Sequence, residues 1–205
     1  MNLRLLSLPE VKQSITMNQA IDAMERTFLQ LAKQEVRLPL RTGIPIVEEN
    51  ALTLTMPAYL ARDKTLGLKV VSIFPNNLAK NKPSITGFIM LLDANTGEPK
   101  VLMDAAYLTA LRTGAVSGLA TKYFARDDAN HVAIIGSGTQ ALTQLEAVAA
   151  VRNIKRVSLW SRNKENAEKL AKKLLLTTRL THMTLYTRQL VKLILSAPRP
   201  VVLSL

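Results

Sequence analysis

The sequence predicts a mixed α/β chain: a helix and an antiparallel meander first, then the opening of a doubly wound parallel sheet. Three observations predict it. Residues 51–104 run as four β-rich segments separated by turn material. After the short polar stretch Arg126–Asn130 the pattern becomes strand, glycine turn, helix, strand, helix, which is how a parallel α/β sheet begins. With 48% apolar residues in 205, the chain also has enough material to bury a core.

Composition narrows the functional classes. There is no cysteine, so disulfide scaffolds, thiolate metal sites and cysteine chemistry are excluded. Two histidines, His131 and His182, are too few for a histidine metal site. No stretch approaches the roughly 20 apolar residues of a membrane helix, and the apolar run before Pro9 and Glu10 is too short for a secretory signal. A cytoplasmic protein without a membrane partner is the expectation. The formal charge of +12 invites a nucleic-acid reading, but it is unevenly built. All 15 acidic residues lie between Glu10 and Glu168, while residues 174–205 contribute four uncompensated cations. No basic block or aromatic platform accompanies them, so no nucleic-acid partner is expected.

Along the chain, Thr16 with Gln19 fits a capping box, and Ile21, Met24, Phe28 and Leu31 follow at helical spacing to about Gln34. The runs ALTLTMPAY, LGLKVVSIF, ITGFIMLL and PKVLMD then read as strands. Asp93-Ala-Asn-Thr-Gly97-Glu joins the last two as a hairpin, with Gly97 free to take positive φ. A second helix is expected from Thr109, with Gly and Ala on the face that packs closely. Residues 1–126 form the expected first domain, and 127–173 the start of a second, doubly wound α/β domain. Residues 174–205, rich in Leu and Thr and without Asp, Glu or Gly, read as an atypical tail.

The sharpest motif is Gly136-Ser137-Gly138-Thr139-Gln140-Ala141, between the apolar run Val132–Ile135 and a helical pattern. In that context Gly136 permits the tight turn, Gly138 lets backbone approach a pyrophosphate, and Ala141 lets helix and strand pack closely. The helix N-terminus adds N–H donors for phosphate. The next strand ends in Ser161-Arg162-Asn163, with no acid before Glu165. A carboxylate there would suit the ribose of NAD; a hydroxyl and an arginine suit a 2′-phosphate. The reading is NADP, with NAD as the alternative. Lys69 shares a strand face with Val71 and Ile73, as either an edge gatekeeper or a functional amine. Arg112 and Thr113 are expected in the first turn of the second helix.

Together these segments resemble the ornithine cyclodeaminase/mu-crystallin family. The resemblance rests on LKVVSIFPNN, KPSITGFIMLLDANTGEPKVLMDAAYLTALRTGAVSGLAT and VAIIGSGTQA, and runs from about Leu3 to Lys173. It implies a homodimer whose first domain binds a small amino or imino acid and whose Rossmann domain binds NAD(P), with hydride transferred at the α-carbon. It also implies that Arg41, Lys69 and Arg112 hold the substrate carboxylate, with Lys69 nearest the reacting carbon and Met56 lining the pocket. Thr113 and residues 136–141 would hold the cofactor phosphates. Leu54 stands where ornithine-handling members place a carboxylate, so an apolar or short side chain, or a cyclic imine, is the expected substrate. No Asp follows Asp128, so no general acid or base is carried over. The change of texture at Lys173–Leu174 leads to the expectation of a truncated or frameshifted relative of a longer enzyme, either active or reduced to binding NADP or a small ligand.

Overall fold

The computed structural model describes residues 2–177, 182–186 and 201–204. It divides into two units, Met1–Thr16 with Glu25–Thr109, and Met17–Met24 with Ala110–Leu205.

The first unit is built on a seven-stranded sheet. The strands are β1 (Arg4–Leu6), β2 (Val36–Arg37), β3 (Thr42–Ile46), β4 (Ala51–Leu60), β5 (Thr65–Ile73), β6 (Ile85–Asp93) and β7 (Pro99–Asp104). Their order is β1-β7-β6-β5-β4-β2, with β3 also paired to β4. The four long strands β4 to β7 form the antiparallel meander expected from their alternation. β1 joins it in parallel beside β7. The β6–β7 hairpin closes as its residues dictate. Asp93 Oδ1 accepts from the N–H groups of Asn95 (2.8 Å) and Thr96 (2.9 Å), and Gly97 takes φ +76°. The Lys100 ammonium and these two bonds hold the Asp93 carboxyl far below the usual carboxylate range.

Helix α1 (Leu8–Ser14) is an addition to the expected elements, although its start is written in the sequence. Ser7-x-x-Glu10 is a capping pair: the Glu10 carboxylate accepts from Ser7 N–H (2.7 Å) and Ser7 O–H (2.6 Å). Helix α2 (Met17–Ala32) begins directly after Thr16, as expected. Its predicted apolar face is only partly buried: Ile21 is enclosed, whereas Phe28 and Leu31 are exposed. The last turns of α2 instead turn Gln30 inward, where its Nε2 donates to Asp63 Oδ2 at 2.7 Å.

The second unit holds most of α3 (Ala106–Phe124), then β8 (His131–Ile135), α4 (Gln140–Val151), β9 (Arg156–Trp160), α5 (Lys164–Thr177), β10 (His182–Tyr186) and β11 (Val201–Ser204). Helix α3 starts three residues before the expected Thr109, because Asp104 Oδ1 accepts the Ala106 N–H at 2.8 Å and so caps it earlier. Helices α3 and α4 pack through small residues: a Cβ on Gly114 would stand 2.4 Å from Thr143 O, and one on Gly118 2.9 Å from Ala147 O. The core joins Val132 and Ile134 of β8, Leu145 and Val148 of α4, Val157 and Leu159 of β9, and Leu170 and Leu174 of α5.

All four strands of this unit are parallel, in the order β10-β9-β8-β11. Two of them come from the stretch that reads as an atypical tail. Residues 182–186 and 201–204 extend the sheet on both edges. Leu174, the first residue of that stretch, is wholly buried, and α5 runs through the change of composition. Residues 178–181, 187–200 and 205 of the tail lie outside the described residues.

Candidate active site

In the first unit the ladder registers bring two of the expected substrate residues together. Met56 of β4 lies directly opposite Lys69 of β5, and Lys69 opposite Ile89 of β6, which in turn faces Met103 of β7. Residues directly opposite in an antiparallel ladder share a face, so Lys69 is an ammonium in an otherwise apolar row. Arg41 immediately precedes β3, whose Thr42 pairs with Thr55; one further step of that register, beyond the paired residues, would bring Arg41 level with Met56. Arg41 is exposed, while Met56 and Lys69 are half-buried. Leu54 is on the same face one row along, between Gly43 of β3 and Val71 of β5. An ammonium and a guanidinium level with apolar neighbours can hold a carboxylate while the rest of a small molecule meets apolar surface.

In the second unit the sheet order reverses at β8: β9 and β10 lie to one side and β11 to the other. The Gly136–Ala141 turn leaves the carboxyl end of β8 at this point, the place where open α/β sheets bind ligands. Its glycines serve separate purposes. Gly136 has φ +123°, a backbone that side chains disfavour, and its N–H donates to Trp160 O at 2.7 Å. Gly138 has nothing within 4 Å of a would-be Cβ, so its open side is free for a ligand to reach the backbone. Thr139 precedes α4, Gln140 is its first residue, and Ala141 is fully buried against the core. Ser137 Oγ and Ser161 Oγ are 2.7 Å apart, and Arg162 follows, exposed. The turn therefore fits a dinucleotide pyrophosphate: open space over Gly138, the N-terminus of a twelve-residue helix beside it, and the strand end of β9 bonded alongside.

Arg112 and Thr113 do not stand in the first turn of α3. Because the helix begins at Ala106, they fall in its second turn, where backbone N–H groups are already committed to the helix. Arg112 is exposed and Thr113 half-buried. Whatever they bind, they bind with side chains. The sequence names Ser137 and Ser161 separately; the bond between them depends on the β8–β9 register and has no sequence signal.

Two titrating groups flank the turn's scaffold. Burial, with Arg156 nearby, pushes the His131 imidazole below its ordinary value, and its Nε2 is 2.8 Å from Ser158 Oγ. Burial raises the Glu146 carboxyl on α4. Among the described residues no group of three or more His, Cys, Asp or Glu could hold a metal, and no helix is long and apolar enough to cross a membrane.

Known proteins resemble this chain in sequence and in fold. A Δ1-pyrroline-2-carboxylate reductase of Bacillus cereus is 40% identical over 162 residues, covering 79% of this chain and 50% of the relative. The structure of Thermococcus litoralis Δ1-pyrroline-2-carboxylate reductase in complex with NADH and L-proline superposes with a TM-score of 0.88 at 38% identity, covering 98% of this chain and 61% of that one. An archaeal alanine dehydrogenase dimer with bound NAD gives 0.83 at 32% identity, covering 91% and 57%. The chain spans about half the length of the curated relatives it matches. The family model that describes ornithine cyclodeaminases and mu-crystallin matches residues 2–183, ten residues past Lys173. By that match and these identities, the chain belongs to the ornithine cyclodeaminase/mu-crystallin family.

Proposed function

We propose that the chain serves NAD(P)-dependent hydride transfer at the α-carbon of a small amino acid or cyclic imino acid. The observation that carries this reading is the row of Met56, Lys69 and Ile89, which sets one ammonium among apolar side chains. Lys69 is assigned to the substrate carboxylate and the region of the reacting carbon, Arg41 and Arg112 to the same carboxylate, and Met56 to the substrate's apolar side. Clamping a carboxylate by cations fixes the α-carbon, and fixed geometry is what hydride transfer requires. Thr113, Gly136, Ser137, Gly138, Thr139, Gln140 and Ala141 are assigned to the cofactor phosphates, with Ser161 and Arg162 at its ribose. The nicotinamide, when bound, supplies or accepts the hydride. Leu54 cannot pair with a distal ammonium, which favours a cyclic imine over ornithine, and the names of the reductase relatives support the same choice.

A homodimer in the cytoplasm is part of the proposal, supported by the dimeric alanine dehydrogenase relative and by a composition without cysteine. A second reading is binding of NADP or a small ligand without turnover, for which the open side of Gly138 would suffice.

The experiment is to titrate NADPH and NADH into the purified chain, then follow loss of the reduced-nicotinamide absorbance with Δ1-pyrroline-2-carboxylate and, separately, with ornithine present. Saturable cofactor binding with turnover of the cyclic imine alone is expected. Binding without turnover of any substrate selects the second reading, and no binding of either cofactor rejects hydride transfer and the NADP form of the second reading.

A further inference from the structure

Two bonds fasten the glycine turn to the end of β9. One is the backbone bond from Gly136 N–H to Trp160 O, which prolongs the parallel ladder by a step. The next is between side chains, Ser137 Oγ to Ser161 Oγ at 2.7 Å. A hydroxyl carries one proton and two lone pairs. Two bonded serines spend one proton on each other and keep one for a third group, and the pair carries no charge.

That inventory matters because of what else the strand end offers. Recognition of an unphosphorylated ribose uses a carboxylate that accepts from its 2′-hydroxyl. The residues after β9 are Ser161, Arg162 and Asn163, and the Asn163 Oδ1 is occupied in capping α5 through the Asn166 N–H at 3.0 Å. The first carboxylate downstream, Glu165, is ion-paired with Lys169 at 2.7 Å. The strand end therefore presents a hydroxyl proton and an exposed guanidinium, with the next acid along the chain engaged elsewhere. Donors and positive charge without an acceptor carboxylate suit a phosphate dianion better than a hydroxyl.

We infer that Ser137, through its bond to Ser161, is a specificity-determining positioning residue that selects the 2′-phosphorylated dinucleotide over the unphosphorylated one. The inference rests on the dinucleotide reading of the turn and extends it: a residue of the pyrophosphate turn, outside the ribose strand, takes part in discriminating the cofactors. Held by Ser137, the Ser161 side chain keeps one orientation and the pair's remaining proton has one place to go. Without that partner Ser161 turns freely, and the phosphate loses an ordered donor.

The test is calorimetric titration of the whole chain with NADPH, NADH, 2′,5′-ADP and 5′-AMP. Wild type should bind NADPH more tightly than NADH by on the order of tenfold, the worth of one charge-assisted hydrogen bond. Ser137→Ala should lose most of that ratio, weakening NADPH and 2′,5′-ADP by a larger factor than NADH and 5′-AMP. Ser161→Thr, which keeps the hydroxyl, should retain the ratio. The double alanine variant should be no worse than either single one, because the two hydroxyls act as a unit. A pair that merely fastens the turn would weaken both dinucleotides by one factor, and an unchanged ratio in Ser137→Ala overturns the inference. If Ser137→Ala does not fold, Ser137→Gly removes the same hydroxyl and answers the same question, with a lost ratio in support and a retained one against. Wild type that binds both cofactors equally overturns this inference alone, whereas wild type that binds neither overturns the dinucleotide reading with it.

Discussion

Lys69 stands directly across the β4–β5 ladder from Met56, with Ile89 beyond it on β6. Methionine keeps the length and the apolar stem of that side chain and drops its charge, so Lys69→Met should separate stability from function. The variant is expected to stay folded and to bind NADPH unchanged. Turnover of a cyclic imine, expressed as kcat/KM, should fall by about 100-fold, as when one partner of a close charge pair is removed. Unaltered turnover would remove Lys69 from the site.

The two turn glycines should respond differently to the same substitution. Gly136 holds φ +123°, so Gly136→Ala should destabilise the second unit by about 1–3 kcal/mol, visible as a lower melting temperature. Gly138 has open space around its missing side chain, so Gly138→Ala should leave melting unchanged and weaken dinucleotide binding by on the order of tenfold. Equal effects of the two variants on melting and on binding would contradict the separate roles.

Arg152 closes the end of α3. Its Nε donates to Arg126 O (2.9 Å) and its Nη2 to Ala125 O (2.7 Å) and Lys122 O (3.2 Å), with the side chain only 9% exposed. Lys122 O is one of the carbonyls a helix leaves unpaired at its C-terminus, and Ala125 O and Arg126 O belong to the residues that follow it. Arg152→Leu should lower unfolding free energy by about 2–3 kcal/mol in denaturant melts. Arg152→Lys should recover only part of it, because an ammonium has no planar fork to reach several carbonyls. Asp127, 3.3 Å away but fully exposed, should be replaceable by Asn with little effect.

The pH dependence follows from His131 and Glu146. His131 is depressed in the folded state, so the unfolded chain binds the proton more readily. Its contribution is present above the ordinary value of 6.5 and is lost as pH falls through that value toward the folded one. His131→Gln should flatten the fall in melting temperature over that window. Glu146 has the opposite sign: its pKa is raised, so the folded state favours the proton and stability drops as pH rises through the folded value. Glu146→Gln should melt higher than wild type at neutral pH and about equally in acid. Thermal melts across the pH range check both.

Much of this molecule is legible in order along the chain. The four long strands, the Asp93–Gly97 hairpin and the glycine turn depend on neighbours a few residues apart, and each appears where its local pattern puts it. Helix α1 is legible too, through Ser7 and Glu10, although the expected elements omit it. The start of α3 differs from expectation because Thr109 is a good cap by type, while Asp104 reaches the helix first. That shift moves Arg112 and Thr113 out of the first turn.

What the sequence by itself determined is the alternation, the capping residues, the Gly136–Ala141 turn and the missing acid after β9. Those are properties of adjacent residues, governed by backbone sterics and by which groups can satisfy a nearby N–H. Only the tertiary structure decided that Met56 and Lys69 fall in one row, that residues 182–186 and 201–204 extend a parallel sheet, and that Ser137 bonds to Ser161. Each of these is a matter of register between distant strands. Register is set by the summed burial of whole faces, and no short stretch of sequence contains that sum.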